Sequence, residues 1–379
     1  MAPAGYLDRG TELFKKLKSY YTQDTPHKPP PISHTTAAAL LVFYTILYIA
    51  PFYLSPTLRA TSSASRDSPA VIKARARAVL LVSLAVTAIT TSVLVFRGNA
   101  TPREIVRLFG LWPAHGFSVR AFVSDTAKSV LLVCVNFLGP LYEWAVAEGE
   151  WRNVGWANLR RTVWDDWVGF RNQIVGPVSE EVIFRSLAVS LYLLAQVDPK
   201  TTTFQPPLIF GLAHLHHLHS FLQSHTPPTH PSLLPPLRVL IPGLLRSAMQ
   251  FAYTSLFGFF ATFLFLRTGN VWSVILAHSF CNWMGLPRVW GRVGVDAGAA
   301  VASGARDGDR GDGGKAGLFQ MRAPESADEL RWKLERGAAK EGMGVGWTVA
   351  YYLLLVVGAV AFWRLLWPLT ESGNALARF

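Results

Sequence analysis

The sequence predicts an all-α fold, a polytopic membrane helical bundle of about eight transmembrane helices. Three observations lead there. Half of the 379 residues are hydrophobic and only 16% are charged, against about 25% in soluble domains. Mean hydropathy is positive, at +0.26. Several apolar runs also reach the roughly 20 residues that cross a bilayer as a helix.

Residues 1–35 read as a polar tail of mixed charge without a cleavable signal, so the first apolar segment is expected to act as a signal anchor. The segments fall at 36–54, 78–96, 121–141, 170–195, 204–218, 240–266, 271–286 and 345–366. The fourth is the least uniformly apolar because it carries a pair of glutamates. The fifth is short and follows Pro206-Pro207. Between the second and third, Thr101-Pro102-Arg103-Glu104 has the form of a helix start: Thr at the N-cap, Pro first, Glu three residues after the cap.

Two regions depart from this pattern. Residues 220–236 are rich in His and Pro. Residues 291–344 contain a Gly/Ala/Asp/Arg stretch too poor in apolar side chains to fold alone, with a charged surface helix expected at 326–340. The bundle core is thus 36–290, followed by the 291–344 loop and, over 345–379, a last transmembrane helix and tail.

The net charge is +12. Its basic residues are scattered among loops rather than set on a basic helix with interleaved aromatics, which excludes nucleic acid and leaves membrane lipid as the partner. The two cysteines, Cys134 and Cys281, lie in apolar runs, so neither a disulfide framework nor a zinc ribbon is expected. No cofactor motif occurs. Lys and Arg do not fix the orientation of the termini, because long loops weigh little in the positive-inside rule.

Chemistry gathers at three places inside the apolar segments: Glu180-Glu181-Val-Ile-Phe-Arg185, Phe210-Gly-Leu-Ala-His214 and His278-Ser-Phe-Cys-Asn282. Burying such groups in hydrocarbon costs several kcal/mol each unless they pair or line a wet cavity, so together they point to one polar site between segments four, five, six and seven. Glu181 and Arg185, four apart, share a helix face and can pair. Glu180 points about 100° away. A structural pair alone would not need the second glutamate. His214 follows Gly211 and Ala213, small residues that let a neighbouring helix approach; alone it reads equally as a packing histidine. His278 and Asn282 share a face and can either hold a developing oxyanion or clamp two helices. Cys281 raises a thiol nucleophile as a rival, and Glu180 with His214 and His278 a zinc site.

Beyond these residues the chain resembles a known family. SEEVIFRS, FGLAHLHH and LAHSFCNWMGLP are similar to the three motifs of the CaaX protease and bacteriocin-processing family, most of all its type II CaaX prenyl endopeptidases of the Ras-converting type. RDSPAVIKARARAVL and QFAYTSLFGFFATFLFLRTGNVWSVILAHSFCNWMGLP extend the resemblance over roughly residues 66–287.

The resemblance implies a metal-independent glutamate protease of the endoplasmic reticulum membrane, multi-pass, with its site accessible from the cytosol. It would remove the last three residues of farnesylated or geranylgeranylated CaaX proteins, such as Ras-like small GTPases, or of prenylated peptides. It further implies that Glu180 and His214 activate water, that His278 and Asn282 form the oxyanion hole, and that Glu181 and Arg185 support them; it does not imply Cys281 as a nucleophile. A prenyl chain enters lipid at about 0.8 kcal/mol per CH₂, which suits a site reached from within the membrane. Trp272, Phe280 and Trp283 are expected either to shape the lipid side of that site or simply to face lipid. A non-catalytic membrane scaffold of the same fold stands as the alternative from another class.

Overall fold

The computed structural model describes residues 29–55, 57–58, 67–113, 118–226, 235–293 and 344–379. Every regular element among them is helical. The tail up to residue 28, most of the 291–344 loop with its expected helix at 326–340, and residues 227–234 of the His/Pro-rich stretch lie outside the described residues.

In chain order the main helices are α1 (His34–Ile49), α2 (Pro69–Gly98), α3 (Pro102–Leu108), α4 (Val119–Asn136), α5 (Gly176–Glu181), α6 (Ala188–Leu194), α7 (Pro199–Ala213), α8 (His216–His225), α9 (Leu237–Thr268), α10 (Val271–Met284) and α11 (Val345–Thr370). Four stretches are long and apolar enough to cross a membrane: His34–Leu54, α2, α9 and α11. The bent pair Val119–Asn136 and Leu138–Ala147, which turns by 80°, makes a fifth if it is one span. The chain is thus a helical membrane bundle. The other three expected segments are helical but differ in kind: α7 and α10 have 15 and 14 residues, too short for an untilted crossing, and the fourth carries several charges.

The described chain divides into two compact units. The first draws on Met1–Val130, Val163–Ser279 and Pro368–Phe379, the second on Leu131–Thr162 and Phe280–Trp367. In the second unit, Tyr351 packs with Ala147 and Val293, its hydroxyl accepts from the Arg288 N–H at 2.7 Å, and Arg288 pairs with Glu143 at 2.9 Å.

The first unit holds Glu180, Glu181, Arg185, His214 and His278. The expected start at Thr101 is present as a full capping box: Thr101 accepts from Glu104 N–H, and the Glu104 carboxylate reaches back to the Thr101 N–H at 2.7 Å. Helix α2 begins nine residues before the expected position 78, because its opening turns carry Lys73, Arg75 and Arg77, which hydropathy reads as loop. Two tyrosines one turn apart fasten α1. Tyr44 donates to Thr90 of α2 at 2.9 Å, since the Thr90 hydroxyl already donates to Val86 O; Tyr48 reaches Ser179 at 2.9 Å.

Segment five begins earlier than expected. Helix α7 starts at Pro199, with Asp198 as N-cap accepting from Thr201 N–H at 2.9 Å. A hydrogen bond from the Thr201 side chain, together with backbone N–H groups of the first turn, holds the exposed Asp198 carboxyl below its ordinary value. Pro206 and Pro207 lie inside the helix rather than before it, and the helix ends at Ala213. Helices α7 and α9 then cross closely. A Cβ on Gly258 would sit 2.7 Å from Pro207 Cβ, and one on Gly211 would collide with Ser255 Oγ. The close approach expected of Gly211 is therefore made to α9.

Candidate active site

Segment four is a continuous helical run of mixed pitch. The six α-helical residues of α5 lie between two π-helical stretches, Arg171–Val175 and Val182–Leu187. Such wide turns are rare and recur at functional sites. Glu180 and Glu181 are the last two residues of α5.

Glu181 and Arg185 are fully buried, with Arg185 Nε 3.0 Å from Glu181 Oε2. The other oxygen of Glu181 meets His278 Nδ1 at 2.6 Å. One carboxylate therefore holds a guanidinium from its own helix and an imidazole from α10, 97 residues away in sequence. With the cation on one oxygen, the carboxylate acts as acceptor and Nδ1–H as donor, an assignment that follows from the network. The opposite nitrogen, Nε2, faces Glu180 Oε2 across 4.0 Å, and the Glu180 side chain is 22% exposed. That gap is too long for a direct hydrogen bond and leaves room for a bridging water beside it.

The terminal nitrogens of Arg185 have no hydrogen-bonding partner among the described residues. Two rings cover them instead. The guanidinium carbon lies 4.6 Å from the Phe210 centroid and 5.7 Å from that of Phe257. Desolvated cation–π contacts of this kind contribute about 2 kcal/mol, which offsets part of the cost of the orphaned donors. The same rings reach the two histidines: Phe210 packs edge-on against His214 with centroids 4.7 Å apart, and Phe257 lies 4.7 Å from His278.

His214 caps the end of α7. Its Nδ1 donates to Phe210 O at 2.9 Å, which leaves Nε2 with an available lone pair. His278 and Arg185 lie within electrostatic reach of its ring. The structure therefore gathers Glu180, Glu181, Arg185 and His278 directly and links His214 to them through Phe210. Asn282 follows His278 by one turn on α10 and is exposed; it falls in the second unit.

Two features escaped the sequence. Phe257 carries no motif signal, since a phenylalanine within an apolar helix looks like any other. The bond from Glu181 to His278 also could not be read, because the local i,i+4 partner Arg185 already accounts for that glutamate. Among the described residues, no three His, Cys, Asp or Glu side chains converge as a metal site requires. Trp272 and Trp283 are each about half exposed, and the Trp272 indole donates to Leu111 O at 3.1 Å.

Comparison with known proteins adds the context of this geometry. Residues 162–284, which include Glu180, Glu181, Arg185, His214, His278 and Asn282, match the family described as type II CAAX prenyl endopeptidase Rce1-like. The chain is 32% identical over 253 residues to a probable CAAX prenyl protease 2 of Schizosaccharomyces pombe, covering 66% of this chain and 82% of that protein. It is 31% identical over 255 residues to CAAX prenyl protease 2 of Homo sapiens, covering 65% and 71%. With the Saccharomyces cerevisiae protein of the same name it shares 29% over 270 residues, covering 65% and 80%. No solved structure matches significantly.

Proposed function

Because the chain belongs to the type II CAAX prenyl endopeptidase family, we propose that it is an intramembrane endopeptidase that removes the C-terminal aaX tripeptide from prenylated CaaX proteins. The observation that carries the mechanistic part is the pair of contacts on His278, with Glu181 at 2.6 Å on one nitrogen and Glu180 at 4.0 Å from the other.

In this reading a water lies between Glu180 and the scissile carbonyl that follows the prenylated cysteine. Glu180 takes a proton as the water oxygen attacks, with His214 Nε2 as a second acceptor. The oxyanion that forms is met by His278 Nε2–H and by the Asn282 amide, the latter on the family resemblance alone. For Nε2 to donate while Nδ1–H binds Glu181, the imidazole carries both protons, and the Glu180 and Glu181 carboxylates together balance the charges of His278 and Arg185. Collapse of the tetrahedral species breaks the C–N bond. Glu180 returns its proton to the leaving amine, so that a prenylcysteine carboxylate and an intact tripeptide leave. Arg185 supports Glu181 and does not touch the substrate. No metal ion takes part in these steps. The substrates include farnesylated or geranylgeranylated small GTPases, and the protein resides in the endoplasmic reticulum membrane with its site open to the cytosol.

The test uses purified protein in liposomes with a CaaX peptide, farnesylated or bare. Release of the intact tripeptide from the farnesylated peptide only is the expected result. No release from either, in a preparation shown to be folded, would favour a non-catalytic scaffold of the same fold.

A further inference from the structure

Tyr48 of α1 reaches the helical run that bears the glutamates at the residue next to Glu180. Its hydroxyl lies 2.9 Å from Ser179 Oγ. Ser179 has a single hydroxyl proton, and that proton is directed back to Val175 O at 2.7 Å and Gly176 O at 3.1 Å. Tyr48 is therefore the donor and Ser179 the acceptor. The Tyr48 ring is fixed in turn by edge-on contacts with Phe184 at 6.0 Å and Phe52 at 6.3 Å. Glu180 lies within electrostatic reach of the Tyr48 hydroxyl.

From this geometry we infer that Tyr48, acting through Ser179, is a positioning residue for Glu180. The inference rests on the endopeptidase reading of the site. Among the described residues Glu180 has no charged partner as close as the one that locks its neighbour Glu181, and it sits at the end of six α-helical residues flanked on both sides by π turns. Its direction depends on how that short piece is held. The anchored Ser179 pins it from the side of α1. A misplacement of about 1 Å at a catalytic group can cost about 10²-fold in rate, so one well-placed hydroxyl has leverage on kcat. It has little on substrate affinity, because Tyr48 acts on the proton acceptor rather than on the peptide.

Tyr44 supplies an internal control. It lies one turn earlier on the same helix and makes an equivalent buried hydroxyl bond, but to Thr90 of α2 rather than to the run bearing Glu180. The experiment compares Tyr48→Phe, Ser179→Ala, their double variant and Tyr44→Phe, reading tripeptide release and thermal unfolding in one membrane mimetic. Tyr48→Phe and Ser179→Ala should each lower kcat about fivefold to tenfold, as expected for one hydrogen bond, with KM within about twofold of wild type. The double variant should be no slower than either single one, and Tyr44→Phe should keep full kcat.

Full kcat in Tyr48→Phe would overturn the inference while leaving the endopeptidase reading intact. So would multiplied effects in the double variant, an equal kcat loss in Tyr44→Phe, or loss of folded protein in both Tyr48→Phe and Ser179→Ala. Absence of release by the wild-type protein would overturn both.

Discussion

Glu181 holds His278 by a 2.6 Å bond to Nδ1 while its second oxygen lies 3.0 Å from Arg185 Nε, so that a single buried carboxylate ties the first motif to the third. The bond orients His278 and leaves Nε2 on the side of Glu180.

Removing that carboxylate should damage two things at once. Glu181→Ala leaves Arg185 buried without its anion, a loss of about 3–5 kcal/mol, read as a lower unfolding temperature in detergent. Glu181→Gln keeps the shape, but its amide group must face either Arg185 or the Nδ1–H, so one donor meets another. Tripeptide release should fall about 10²-fold in that variant with the protein still folded. Wild-type rates in Glu181→Gln would refute the orienting role.

The α7–α9 crossing sets where His214 stands. Gly258→Ala would place a Cβ 2.7 Å from Pro207 Cβ, a backbone-borne atom that cannot swing aside. Overpacking of this kind costs about 1–3 kcal/mol. The helices should part, displacing His214 at the end of α7, and both stability and kcat should fall. Circular dichroism melts and peptide turnover measured together would show it.

The readable parts of this protein were those with local causes. The capping box at Thr101, the Glu181–Arg185 spacing and the close-packing role of Gly211 all follow from residues within a few positions of one another. The misread parts have distant or masked causes. Basic turns hid the start of α2, and two prolines disguised the middle of α7 as its beginning, although Asp198-Pro199 supplied a good helix start just upstream. At the site, the three motifs were visible because polar groups are costly in apolar segments. Their connections through Glu181, Phe210 and Phe257 were not, because they depend on side-chain contacts between different helices that no local spacing signals.

Asp198 offers a check on that helix start. Asp198→Ala should cost about 1 kcal/mol through loss of the N-cap. Since folding lowers the Asp198 pKa, its contribution is present above the unfolded value of about 3.9 and is lost as pH falls through the lower folded value. Wild type and variant should thus differ in unfolding temperature at neutral pH and converge in strong acid. A difference that persists unchanged at low pH would contradict the assignment.

Cys281 stands next to Asn282, but the proposed mechanism assigns the attacking water to Glu180 and His214 and the oxyanion to His278 and Asn282. Cys281→Ala should therefore retain activity within about twofold, and thiol reagents should inhibit the wild type only by bulk. A dead Cys281→Ala protein that folds normally would revive the thiol mechanism.

The most direct test of the glutamate mechanism is release of the tripeptide from a farnesylated CaaX peptide, followed by mass spectrometry. Folded wild-type and Glu180→Ala proteins are compared, each with and without a metal chelator. Release by wild type alone, at the same rate in chelator, is the predicted result. Release by Glu180→Ala, or a wild-type activity that chelator abolishes and added zinc restores, would contradict it.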